Sequence, residues 1–102
     1  MDEKDWLAER FEEQRPHLRA VAYRMLGSLA EADDAVQDAW LRASLSDAAQ
    51  VGNVRGWLTT IVARVSLNVL RARRAHREDT LSGRLPDPVI SLDESSQPEE
   101  EA

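Results

Sequence analysis

The side chains able to do chemistry are unevenly spread along these 102 residues. Residues 51–77 carry Arg55, Arg64, Arg71, Arg73, Arg74 and Arg77 and no acid. Acids prevail on either side. Glu31, Asp33, Asp34, Asp38 and Asp47 stand against one Arg42, and residues 78–102 are acidic again. The net charge of −6 therefore hides a segregation. One basic segment on an acidic body suits two partners of opposite sign. A general duplex binder needs net local cation for the phosphates, which the chain as a whole lacks. Taken alone, the charge pattern is explained more simply by a solvated helix face. The arginines near the end of a helix also complement its dipole.

Other chemistry is thinly represented. The absence of cysteine removes disulfides, thiol catalysis and Cys-based zinc sites. His17 and His76 are scattered and have no assignable role. There is no Gly-rich phosphate loop, no HExxH and no Ser–His–Asp spacing. Asp33, Asp34 and Asp38 come nearest to a metal centre, but no histidine or further oxygen cluster accompanies them. The expectation is a non-enzyme without metal or cofactor. No apolar run approaches the length of a bilayer span, and the N-terminus has the wrong charge for a signal peptide. A cytoplasmic protein without membrane contact is expected.

The elements that must position these residues are helices. Hydrophobic residues make up 42% and aromatics 5%, poor material for a β sandwich. Trp6, Leu7, Phe11, Leu18, Val21, Ala22, Met25 and Leu26 follow helical spacing over residues 4–26. Pro16 either kinks this helix or splits it in two. Gly27 stops it. Ser28 and Glu31 have capping-box spacing and start a second helix over residues 29–44, with Ala32, Ala35, Val36, Ala39, Trp40 and Ala43 as its apolar stripe. Leu41 is expected in the core beside Trp40. Residues 45–53 form a connection, and Asn53 caps a third helix over residues 54–76. Leu58, Ile61, Val62, Val65 and Val69 share its apolar arc, with Trp57, Thr60, Arg64, Asn68 and Arg71 on the adjacent arc. Beyond Glu78 the pattern gives way to Pro, Ser and acid. The predicted fold is all-α, a compact bundle of three main helices with an acidic linker tail. Residues 1–78 form the helical domain and 79–102 a partly disordered linker.

Three segments taken in order resemble a known family. EADDAVQDAWLRA (31–43) is similar to the "DAEDLVQETFLRA" signature of bacterial sigma factors. RGWLTTIVARVSLNVLRARR (55–74) is similar to their "WL..IARN...D.LR.RRR" signature. FEEQRPHLRAVAYRMLG (11–27) matches the helix before both. Together they resemble domain 2 of extracytoplasmic-function (ECF) sigma factors, over about residues 6–77. SGRLPDPV (82–89) is similar to the linker of an ECF subgroup with a C-terminal extension. Arg64 stands where the family usually has Asn, Asn68 where it has Asp, and residues 45–53 lack the usual Phe motif. These departures bear on which promoter is read.

The resemblance implies a function and residues for it. Domain 2 binds core RNA polymerase at the β′ clamp helices, which assigns Asp34, Gln37 and Asp38 to polymerase. It recognises and melts the promoter −10 element through the non-template strand. That role falls to Asn53 and Arg55 at the base-capturing loop, to Arg64, Asn68 and Arg71 at base edges or phosphates, and to Arg73, Arg74 and Arg77 at phosphates. Trp57 is read first as packing. Further implied partners are an anti-sigma factor or the protein's own C-terminal domains. The −35-reading domain of the family has no counterpart in these residues, so this chain alone is not expected to direct full initiation. The alternative is a helical interaction module that binds polymerase or another partner without reading promoters.

Overall fold

A computed structural model describes residues 3–82 of the chain. Three helices follow in order: α1 (Glu3–Leu26), α2 (Leu29–Ser44) and α3 (Val54–Ser82). One turn of 3-10 helix, Ala48–Gln50, interrupts the connection before α3. No strand occurs among the described residues. The chain divides into two units, Met1–Arg71 and Ala72–Ala102.

Local chemistry sets the helix ends of the first unit. Gly27 adopts a φ of 77°, open to glycine without penalty, and its N–H closes onto Tyr23 O at 2.8 Å. Ser28 has extended backbone and its Oγ accepts from Glu31 N at 3.2 Å, the expected cap. Asn53 Oδ1 accepts from Gly56 N at 3.0 Å, and Asn53 O accepts from Trp57 N at the same distance. A Cβ on Gly56 would lie 2.7 Å from Asn53 Nδ2, so glycine leaves room for this cap.

Of the two outcomes that Pro16 allows, α1 is one continuous helix with Pro16 inside it. Pro16 and Glu12, the residue whose carbonyl it cannot bond, are both exposed. Leu7 and Phe11 before it, and Leu18, Ala22 and Leu26 after it, enter the same core, which holds both halves in line.

That core is α2's alanine face, Ala32, Ala35, Ala39 and Ala43 with Val36, enclosed by α1 and by Leu58, Val62 and Val65 of α3. Phe11 meets Trp40 edge to face, with ring centroids 5.2 Å apart and an interplanar angle of 62°. Arg19 crosses from α1 to Asp33 of α2, with Nε 2.7 Å and Nη2 3.3 Å from its two carboxylate oxygens. Pairing Phe11 with Trp40 and Arg19 with Asp33 requires α1 and α2 to be antiparallel. The hydrogen bond between His17 and Thr59 ties α1 to α3.

Two expectations need correction. Leu41 is 53% exposed and not in the core. At 100° per residue it lies close to Asp34, on the side of α2 away from its alanines. The third helix does not end near His76 but continues to Ser82. In the second unit, Arg74 Nε bonds Glu78 Oε2 at 3.1 Å and Thr80 Oγ1 donates to His76 O at 3.0 Å, local bonds that carry the helix on. Of the residues expected as linker, 79–82 are helical and 83–102 lie outside the described residues.

Two stability predictions follow from these contacts. Ser28→Ala should lower unfolding stability by about 1 kcal/mol in urea titration through loss of the α2 cap. Ser66 is wholly buried and its Oγ has no hydrogen-bond partner among the described residues. Ser66→Ala should therefore raise stability by about 1 kcal/mol, by removing an unsatisfied buried hydroxyl.

Candidate functional site

Two different surfaces flank α2. The first is a cleft of about 260 Å³ between the C-terminal end of α2 and α3. Trp57, Ile61 and Val65 supply its apolar lining, and Arg64 and Asn68 its polar lining from α3. Arg42 and Ser46 close it from the α2 side. Arg64 and Asn68 are exposed and one helical turn apart, and Arg71 follows, also exposed. Trp57 is half-buried and packs against the core, in keeping with its reading as packing, yet it also reaches the cleft. An aromatic wall beside a guanidinium and an amide can stack on a base and bond its edge.

The sequence pattern missed Arg42 and Ser46 as members of this surface. Arg42 Nε sits 3.4 Å from Asp38 Oδ2, and Ser46 Oγ donates to Arg42 O at 3.0 Å. Nothing in the local pattern of α2 points to α3. Only the antiparallel return of the chain brings these residues to Arg64 and Asn68.

The remaining residues expected at nucleic acid stand elsewhere. Asn53 is exposed, but its side-chain oxygen is committed to the α3 cap. Arg55 is exposed and turned to α1, where its Nη1 meets Gln14 Oε1 at 3.4 Å and its Nη2 meets His17 Nδ1 at 3.2 Å. In the second unit Arg77 is exposed, Arg74 is paired with Glu78 and Arg73 is half-buried.

The second surface is a groove of about 360 Å³ on the α2–α3 side. Its polar rim is Glu31, Asp34 and Asp38, and its floor is Ala35, Val65 and Val69. An acid rim over an apolar floor fits a cationic, amphipathic helix. Gln37, grouped with Asp34 and Asp38 in the sequence, lines a different groove, between α1 and α2, with Phe11, Glu12, Arg15 and Trp40. There Arg15 donates to both oxygens of Glu12, at 3.0 and 2.8 Å, and these bonds hold the Glu12 carboxyl below its usual range. Leu41, 53% exposed, and Leu45, 87% exposed, add apolar area to the acid-bearing side of α2.

The three aspartates do not assemble. Asp33 is bound to Arg19 and Asp38 to Arg42. Among the described residues no group of three or more His, Asp or Glu could hold a metal ion. None of the described helices is long and apolar enough to cross a membrane.

Comparison with known proteins adds independent information. Residues 10–76 match the family described as Sigma-70 region 2. The chain is 48% identical over 82 residues to the ECF RNA polymerase sigma factor SigJ of Mycobacterium tuberculosis, an alignment covering 79% of this chain and 26% of that protein. It is 28% identical over 78 residues to the probable ECF RNA polymerase sigma factor SigI of the same species, covering 76% of this chain and 27% of that one. The chain thus spans about a quarter of the length of the curated relatives it matches. No solved structure gives a significant match.

Proposed function

The chain belongs to the sigma-70 region 2 family, as an ECF-type domain 2, and on that premise we propose that it binds core RNA polymerase and recognises and melts the promoter −10 element. The observation that carries the promoter half is the cleft where Trp57, Arg64 and Asn68 of α3 meet Arg42 and Ser46. Melting needs capture of single-stranded bases, and this surface offers stacking, base-edge bonding and cation together. Arg64 and Asn68 contact base edges of the non-template strand, and Arg71 contacts base or phosphate. Arg73, Arg74 and Arg77 contact phosphates and carry no sequence code. Asn53 holds the loop that precedes α3.

The polymerase half rests on α2. Asp34 and Asp38 line the acid-rimmed groove, and Gln37, Leu41 and Leu45 are exposed on the same helix or just beyond it. Their partner is the β′ clamp helices, met by charge at the acids and by apolar contact at the leucines. An anti-sigma factor would compete for the same acids. The domain performs no covalent step. It works in the bacterial cytoplasm by holding DNA open with binding energy, and leaves synthesis to polymerase.

A net charge of −6 keeps the free chain from collecting on random duplex, so polymerase must deliver it to DNA. Polymerase binding and −10 opening are the roles assigned to these residues, whose alignment covers 26% of SigJ.

Two measurements test the two halves separately. Asp34→Arg/Asp38→Arg should weaken binding to core polymerase by about tenfold or more, and wild-type binding should fall steeply with salt. Wild-type binding that is insensitive to salt and to this reversal would move the interface off α2. Arg64→Glu/Arg71→Glu should abolish permanganate-detected promoter opening by the polymerase complex while leaving polymerase affinity unchanged. Opening that survives would favour an interaction module that does not read promoters.

A further inference from the structure

His17, Thr59, Arg55 and Gln14 form a hydrogen-bond circuit between α1 and α3. Arg55 Nη1 donates to Gln14 Oε1 at 3.4 Å, and its Nη2 donates to His17 Nδ1 at 3.2 Å. A guanidinium can only donate, so Nδ1 must present a lone pair and the ring proton sits on Nε2. That N–H donates to Thr59 Oγ1, 3.0 Å away. The Thr59 hydroxyl in turn donates to Arg55 O at 2.8 Å. The circuit therefore starts on the Arg55 side chain and closes on the Arg55 backbone. His17 and Thr59 are half-buried, which shields their bonds from competing water.

The circuit is placed to control the loop. Arg55 lies in the first turn of α3, whose cap is Asn53. Gln14 and His17 lie in the middle of α1, a helix fixed in the core by Phe11 and Leu18. Through these two side-chain hydrogen bonds α1 holds the Asn53 end of the connection. The two bonds hold the Arg55 guanidinium against α1 and fix its orientation at the start of α3.

We infer that His17 and Arg55 are positioning residues, a latch that presents the 45–53 loop and the start of α3 to single-stranded DNA, and that Arg55 acts through α1 and not as a phosphate ligand. This inference rests on the promoter reading above and revises the role that the resemblance implies for Arg55.

Salt dependence separates the two roles. A phosphate contact that is removed flattens the salt dependence of binding by about one charge, whereas a lost positioning contact weakens binding without changing that slope. The probe is a single-stranded oligonucleotide selected from a random pool by the wild-type chain on core RNA polymerase. Anisotropy is followed across a salt series with the full chain on polymerase. His17→Leu and Arg55→Gln should each weaken binding by about fivefold with the wild-type slope. The double variant should be no weaker than the weaker single one, because both break one circuit. His17→Gln, which keeps an acceptor and a donor on one side chain, should recover most of the affinity and also guards against loss through misfolding. Arg71→Gln should flatten the slope in the same assay.

An Arg55→Gln variant that flattens the slope as Arg71→Gln does would overturn the inference and return Arg55 to the phosphate contacts. Wild-type affinity in His17→Leu would overturn it as well. A wild-type chain that selects no oligonucleotide on polymerase overturns the promoter reading itself, and the inference with it. That outcome is visible before any variant is made.

Discussion

Four alanines on α2 set the conditions for the rest of the first unit. Ala32, Ala35, Ala39 and Ala43 are all buried and fall on one side of the helix. A single methyl each lets neighbouring helices approach closely, while contributing little apolar area of its own. The large side chains that fill the core must then come from α1 and α3, as Phe11, Leu18, Leu58 and Val62 do. Because α2 buries such a narrow face, the residues around the rest of its circumference are left to the surface. Asp34, Gln37 and Leu41 are exposed for this reason.

That arrangement lets one short helix serve two surfaces. Asp34 and Asp38 rim a groove over the apolar side of α3, while Arg42, a turn further along, joins the cleft with Arg64 and Asn68. The ion pair between Asp38 and Arg42 lies at the boundary between them. An exposed pair of this kind adds little stability. Its importance is electrostatic placement: the sign of the surface reverses within one helical turn. An approaching cation and an approaching phosphate would therefore be drawn to neighbouring parts of α2 without competing for one field. The acidic excess outside residues 51–77 works in the same direction, by discouraging unassisted contact with duplex DNA.

α1 has a less visible part. It carries no residue of the cleft, yet it supplies Phe11 against Trp40, Arg19 against Asp33 and His17 against Thr59. These contacts hold α2 and α3 from a common support. Pro16 in its middle would be a breaking point in an isolated helix. Here the apolar residues before and after it are anchored in one core, so burial overrides the local preference.

The sequence by itself determined the three helices, the caps at Ser28 and Asn53, the stop at Gly27, most of the buried stripe and the motif series that carries the family. All of these are properties of single segments: a 3.6-residue period and a capping side chain can be recognised without knowing what lies opposite. The same local view put Leu41 beside Trp40 in the core and ended α3 near His76. Only the tertiary structure decided that Gln37 faces the α1 groove, that Arg42 and Ser46 complete the α3 cleft, and that Arg55 turns to His17. Each is a meeting of residues on different helices, fixed by the register in which the large side chains of α1 and α3 seat on the alanines of α2. That register is a property of the packed core, and no segment carries it alone.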